Sequence, residues 1–236
     1  MIDTDIREFL NDRTSGASSL AKKELKIIKK LLSTEKSEKE IKEFIQKASQ
    51  KFPEMAPIKK IEFFFSKNQI NKENFKELSE KFSDEEFIKN SQFLFSNRKN
   101  ILTFSNSSSI LKVLLNYNNK INKVYCCHSL PLGEGKVLHE NLIEKSIDSK
   151  LIEDMEFAKY YNKIDFIILG ADAIGEKYFI NKVGTNIIAI LANHFHIPVY
   201  VVSSNIKYFN ESEFSKLQTG EYFEKVDNKY ITKFIA

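Results

Sequence analysis

Three short polar segments carry the residue types that can do chemistry. Ser105-Asn106-Ser107 opens a run of hydroxyls and an amide (SNSSS) directly after the apolar stretch ILTF and before ILKVLL. Hydroxyls and free backbone N–H groups at a helix start form a cradle for an anion or phosphate, and the same residue types equally serve as ordinary N-caps. Gly170-Ala171-Asp172 follows the apolar stretch IDFIIL. An acid in that place can move a proton or hold a ligand hydroxyl, or it can simply cap its own loop. Asn181-Lys182 leads through Val183-Gly184-Thr185 into IIAILANHF. Lys182 can neutralise a phosphate or an acid; the alternative is a solvated lysine at the start of a helix.

The other reactive residue types do not assemble into a centre. His194 and His196 lie two apart, and His128 and His139 have no cysteines at finger spacing, so neither a metal site nor a cofactor is predicted. Cys126 and Cys127 are adjacent inside a predicted strand. Neighbours in a strand point to opposite faces, so the two cannot readily bond each other, and buried, inert thiols are expected. No Walker loop, GxGxxG or GxSxG occurs.

The elements that must position these segments differ between the two halves of the chain. From Ser18 to Gln50 apolar residues recur three and four apart (Leu20, Leu25, Ile28, Leu31; then Ile41, Phe44, Ile45, Ala48), which is helical spacing. Ser37 followed by Glu40 predicts a capping box. Ile58–Phe65 and Phe75–Phe95 predict two further helices, so residues 1–95 read as a helical domain. Beyond them, short apolar runs at Ile101–Phe104, Val124–Cys127, Ile164–Leu169 and Val199–Val202 alternate with helical patterns at Ile110–Leu115 and Val183–Phe195. Strands alternating with helices predict βαβ units and a parallel sheet, and continuous apolar strands suit a sheet covered on both faces. The fold class is α/β, with residues 96–236 forming a Rossmann-like parallel-sheet domain. In such a sheet ligands bind at the carboxyl ends of the strands, where all three polar segments are predicted to lie.

Bulk properties narrow the function classes. The chain has 236 residues, 42% of them hydrophobic and 29% charged, with a net charge of +4 and the two signs interspersed. That is a mixed, solvated surface rather than the basic stripe of a nucleic-acid binder, so no direct nucleic-acid partner is expected. The opening MIDTDIREFL lacks a basic n-region and apolar h-region, and no apolar run approaches the ~18 residues of a membrane span. With no disulfide framework, a cytoplasmic location and no membrane partner are expected.

Taken together, the loops resemble a known family. The segment Ile164 to Val202, IDFIILGADAIGEKYFINKVGTNIIAILANHFHIPVYVV, resembles the signature of the translation initiation factor 2B alpha/beta/delta subunits, shared with methylthioribose-1-phosphate and ribose-1,5-bisphosphate isomerases. Its GAD, NKxGT and IPVYVV elements fall in order and at family spacing. DRTSGASSLA (Asp12 to Ala21) is similar to the family's N-terminal helix entry, ILTFSNSSSILKVL to its first strand and loop, and HSLPLGEGKVL to its ESxPxxxG loop. FEKVDNKYITKFIA resembles the closing segment cut short, so the resemblance covers essentially the whole chain.

Within the family, the resemblance implies that the isomerases' catalytic cysteine corresponds to Ser105. Their two arginines correspond to Ser15 and Leu130, and the glutamate of the ESxP loop to His128. Asp172 matches their second catalytic residue and is the catalytic candidate if the chain is an isomerase. Serine is a far weaker acid than cysteine, and two lost arginines remove bidentate phosphate anchors. The resemblance therefore implies a non-catalytic, regulatory or scaffolding subunit that supports guanine nucleotide exchange on initiation factor 2. The alternatives are a sugar-phosphate aldose–ketose isomerase and a module that senses a sugar phosphate or nucleotide. Ser105, Asn106, Ser107, Asp172, Asn181 and Lys182 are the expected ligand-binding set. Expected partners are other initiation factor 2B-like subunits and initiation factor 2, in a homo- or hetero-oligomer formed through the C-terminal domain. Some of Tyr222, Phe223, Tyr230, Ile231, Phe234 and Ile235 are expected to supply part of that interface.

Overall fold

The structure, a computed structural model, describes residues 2–12, 17–34, 36–83 and 85–236. The chain divides into two compact units, Met1–Asp84 with Asn205–Gln218, and Glu85–Ser204 with Thr219–Ala236. Among the described residues the first contains α1 (Ile2–Asn11), α2 (Ala17–Ser33), α3 (Glu38–Lys51), α4 (Ala56–Lys67), α5 (Lys72–Ser83) and, in its second segment, a short helix at Glu211–Phe214. Leu20, Ile28, Leu31, Ile41, Phe44, Ile45, Ile58, Ile61 and Leu78 form its core, which is the face that the helical spacing predicts. Ser37 and Glu40 form the expected capping box at α3: the Ser37 side chain accepts the Glu40 N–H, and the Glu40 carboxylate accepts the Ser37 N–H at 3.0 Å.

The segment Asn205–Gln218 is held to this helical unit by both packing and charge. Ile206 enters the core, and the Phe209 ring meets Phe63 edge-on at 6.3 Å. Lys60 donates to the Tyr208 carbonyl at 2.7 Å, and the Glu213 carboxylate takes Lys67 at 2.6 Å and Lys60 at 3.4 Å. Burial pushes the Glu213 carboxyl upward, but the two ammonium groups outweigh it and hold the group below its ordinary range.

The second unit is α/β. In chain order it contains α6 (Glu86–Asn90), β1 (Lys99–Phe104), α7 (Ser108–Asn116), β2 (Ile121–Cys127), α8 (Glu134–Glu144), β3 (Ser149–Ile152), α9 (Phe157–Tyr160) and β4 (Phe166–Leu169). The remainder is β5 (Ala173–Ile174), β6 (Tyr178–Lys182), α10 (Thr185–His194), β7 (Val199–Val202), β8 (Phe223–Asp227) and β9 (Lys233–Ile235). Six strands form a parallel sheet in the order β3-β2-β1-β4-β7-β9, the doubly wound order with its switch point between β1 and β4. All four residues of β4 are buried, as a strand covered on both faces requires. A separate antiparallel sheet, β5-β6-β8, follows β4 in the chain and is completed near the C-terminus.

Several sequence expectations change in detail. The helix expected over Phe75–Phe95 becomes α5, α6 and a 3-10 turn at Gln92–Phe95. Its apolar residues serve two cores: Leu78 packs in the first, whereas Phe87, Leu94 and Phe95 pack in the second. The strand expected from Ile164 begins at Phe166, and the Val183–Phe195 helix spans Thr185–His194. Among the C-terminal apolar residues, Ile235 is buried in this unit's own core as part of β9, and the Phe234 ring meets Phe179 edge-on at 5.7 Å. Ile235 therefore closes a sheet edge and is not available to a subunit interface. Among the described residues, no helix is long and apolar enough to cross a membrane.

One charged side chain lies inside the helical core. Glu24, on α2, is fully buried and neither carboxylate oxygen has a hydrogen-bond partner. Burial, and secondarily the nearby Glu62 carboxylate, push its pKa well above the ordinary value of 4.5. Glu62 itself accepts the Ser49 hydroxyl and pairs with Lys59 at 3.5 Å. Above pH 4.5 the folded chain therefore keeps a proton that the unfolded chain releases, and stability falls as pH rises toward the folded pKa. Glu24→Gln is expected to flatten that decline. Glu24→Met, which removes the unpartnered polar group, is expected to stabilise the chain by about 1–3 kcal/mol at pH 7. Denaturant unfolding at a series of pH values measures both, and a parent pH dependence unchanged in Glu24→Gln would show that Glu24 does not hold the proton.

Candidate functional site

The site forms where the carboxyl ends of β1, β2 and β4 meet the turn from β6 into α10. β1 pairs with β4 through Phe104 and Leu169, so Ser105 and Gly170 are the next residues on adjoining strands at the switch point. Ser107 packs directly on Gly170, where a Cβ would lie 2.5 Å from the Ser107 Oγ. That contact brings the serine loop against the Gly170-Ala171-Asp172 loop. At the other end of the site, Gly184 is left-handed (φ 101°), and the Phe104 ring lies where its Cβ would project. The β6–α10 turn is thus pressed against the last residue of β1.

The expected ligand-binding residues are placed as follows. Ser105 is half-buried in a left-handed conformation (φ 68°), uncommon for a residue with a side chain. Asn106 is exposed. Ser107 is the N-cap of α7, its Oγ accepting the Ile110 N–H at a long 3.5 Å. Asp172 is half-buried, and its backbone N–H donates to the Ile180 carbonyl at 2.8 Å. Asn181 is buried and donates through Nδ2 to the Thr185 hydroxyl at 3.0 Å; that hydroxyl donates to the Lys182 carbonyl at 2.6 Å. Lys182 ends strand β6 rather than starting a helix, and it is only 1% exposed. The solvated-lysine alternative is therefore excluded.

Lys182 has one charged neighbour and one ring. Its Nζ lies 3.1 Å from the Glu134 Oε2, in the first turn of α8, and 5.1 Å from the centre of the Tyr222 ring. Both the Nζ and the Oε2 are buried without a well-aligned hydrogen bond. The pair is an ion contact by distance but lies off the hydrogen-bond direction.

Several residues that shape the site carry no strong signal in the sequence. Ser129, fully buried and left-handed (φ 66°), accepts the Ser105 N–H through its Oγ at 2.6 Å and donates to the Cys127 carbonyl at 3.0 Å. Asp154, after β3, accepts the N–H groups of Ser129 at 2.6 Å and Leu130 at 2.9 Å. Glu224, on β8, accepts the N–H groups of Gly184 at 2.8 Å and Asn186 at 2.9 Å, at the start of α10. Ser129 and Glu134 lie within the HSLPLGEGKVL segment. For Asp154 and Glu224 only the folded chain supplies a clue, since Glu224 is 40 residues from Gly184.

At the positions matched to the isomerases, His128 lies 3.6 Å from Glu153 and Leu130 is half-exposed. Ser15 lies outside the described residues. Cys126 and Cys127, both free, are fully buried within β2. Burial pushes the Cys126 thiol up to about 11, against a weak contact with the Ser149 hydroxyl at 3.4 Å. Burial, then the Asp154 carboxylate, push Cys127 higher still. Among the described residues no group of three or more histidine, cysteine, aspartate or glutamate side chains is placed to hold a metal ion.

A family model described as the initiation factor 2 subunit family matches residues 6–234. Similar proteins include the ribose 1,5-bisphosphate isomerase of Methanocaldococcus jannaschii, 32% identical over 46% of this chain and 36% of that protein. The translation initiation factor eIF2B subunit alpha of Caenorhabditis elegans is 28% identical over 55% of this chain and 43% of that protein. The matches thus span less than half the length of these curated relatives, and both factor subunits and isomerases are among them. In fold, the chain is similar to the translation initiation factor eIF-2B of Pyrococcus horikoshii OT3, with a TM-score of 0.79, 23% identity, and coverage of 99% of this chain and 94% of that one.

Ser129 is the residue on which the serine loop depends most directly. Ser129→Ala removes the acceptor of the Ser105 N–H and is expected to cost about 1–2 kcal/mol in denaturant unfolding. The Ser105 amide should also exchange with solvent at least severalfold faster. An unaltered Ser105 exchange rate in a folded Ser129→Ala protein would contradict this account.

Proposed function

The chain belongs to the initiation factor 2 subunit family, and from that premise we propose that it is a non-catalytic subunit of the initiation factor 2B type. In this reading it associates with other such subunits and with initiation factor 2, and it supports guanine nucleotide exchange as a regulator or scaffold. The observation that carries the proposal is the absence of an ionisable thiol from the crevice. Ser105 stands where the resemblance places the isomerases' cysteine, and both thiols of the chain are sealed inside β2 with raised pKa values. A serine hydroxyl cannot share protons near neutral pH as a thiol can. Leu130, in the place of an arginine, offers no bidentate contact to a phosphate.

A second reading, a module that senses a sugar phosphate or nucleotide without turning it over, is favoured by one feature. Lys182 is a buried cation whose ammonium lies 3.1 Å from Glu134 without an aligned hydrogen bond, and an unaligned buried ammonium is a natural anion partner. In either reading Asp172 orients a ligand hydroxyl or braces its loop.

The proposal is tested by assay and by mass. Purified protein is expected to show no isomerisation of ribose 1,5-bisphosphate or methylthioribose 1-phosphate, and native mass spectrometry with candidate partner subunits is expected to show a complex. Turnover of either substrate that Asp172→Asn abolishes would establish an isomerase instead.

A further inference from the structure

The crevice is already filled with the protein's own negative charge. Asp154 takes the N–H groups of Ser129 and Leu130, Glu224 takes those at the start of α10, and Glu134 stands against Lys182. Each carboxylate meets donors of the kind that can bind an anion, backbone N–H groups or an ammonium. The first two are well-aligned hydrogen bonds of 2.6 to 2.9 Å and are structural. The third is different. Its two atoms are 3.1 Å apart, both buried, and neither completes an aligned hydrogen bond.

The two partners also differ in their freedom to move. Lys182 is on strand β6, is 1% exposed, and has its carbonyl held by Thr185. Glu134 is in the first helical turn of α8, and its side chain is 29% exposed, so rotation about its own torsions carries its carboxylate into water. Gly135, the next residue, packs closely on β2: a Cβ there would fall 1.7 Å from the Cys127 carbonyl oxygen, and its N–H donates to the His128 carbonyl at 3.1 Å.

We propose that Glu134 is an internal competitor for an anion site at Lys182, and that a phosphate monoester binds there by displacing the Glu134 carboxylate to solvent. The inference rests on the sensing reading and adds its regulation: affinity is set by the glutamate that must leave. A phosphate offers three acceptor oxygens to a buried ammonium that the carboxylate meets at a poor angle. Displaced Glu134 keeps its favourable place at the helix N-terminus while regaining hydration, so exchange is reversible.

The test is titration of inorganic phosphate and of ribose 5-phosphate, by calorimetry or ligand-detected NMR, into the parent, Glu134→Gln, Lys182→Met and the double variant Glu134→Gln/Lys182→Met. Glu134→Gln removes the competing charge while keeping shape, and it should bind phosphate about tenfold or more tightly than the parent. The gain should vanish in the double variant, which leaves neither charge buried alone and so remains testable if Lys182→Met unfolds. Circular dichroism melts establish that each protein is folded. A tighter affinity for ribose 5-phosphate than for inorganic phosphate assigns a share of the binding to the sugar; equal affinities assign it all to the phosphate, and both accord with displacement. Glu134→Gln binding no tighter than the parent, or a gain that survives Lys182→Met, overturns the proposal. Those outcomes are separate from the family-level reading: substrate turnover would defeat the non-catalytic role without touching the Glu134 result, and an unresponsive Glu134→Gln would leave subunit assembly intact.

Discussion

A parallel sheet that is apolar on both faces can display polar chemistry only at its strand ends. The second unit rests on this constraint. β4 is buried along its whole length, and β1 and β2 are buried toward their carboxyl ends, so hydroxyls, amides and charges are displaced into the loops beyond Phe104, Cys127 and Leu169. The switch point between β1 and β4 then gathers the serine loop and the Asp172 loop side by side. Close packing does the rest: Ser107 lies on Gly170 and Phe104 lies behind Gly184, leaving no room for a side chain at either glycine.

Crowding polar groups at one edge creates a satisfaction problem that the chain answers with its own carboxylates. Backbone N–H groups of Ser129, Leu130, Gly184 and Asn186 find Asp154 and Glu224. The Ser105 N–H finds the Ser129 hydroxyl, which holds two adjoining residues in left-handed conformations across the β1 and β2 loops. The Lys182–Glu134 contact is left imperfect. A buried ammonium poorly aligned with its counter-charge is costly in a structural role.

The helical unit shows the same physics with a different outcome. Glu24 has no hydrogen-bond partner in an apolar core, so it stays protonated over a wider pH range instead of finding a counter-charge. Glu62, one helix away, is answered by the Ser49 hydroxyl and by Lys59. Glu213 gathers two lysines and so fastens a segment that departs from the chain order of the helices. Its attachment is a contact between residues about 150 positions apart, and local patterns carry no record of it.

Local sequence determined the helices of the first unit, the α3 capping box, the short apolar strands and the α/β class, because spacing of three and four, or brief apolar runs, leaves few alternatives once each face must be buried. It also determined which loops carry hydroxyls, an acid and a lysine, since strand ends are recognisable as the places where apolar runs stop. Where side chains go beyond their own element was decided by the tertiary structure. Phe75–Phe95 read as one helix because its apolar residues keep helical spacing, yet they divide between two cores. Lys182 read equally as a solvated or a ligand-facing residue, because nothing local distinguishes the two; the pairing of β6 with β8 and the approach of α8 bury it. Ser129, Asp154, Glu134 and Glu224 act on partners 24 to 48 residues distant, and such contacts exist only once the sheet has assembled, which is why the charge balance of the crevice belongs to the fold.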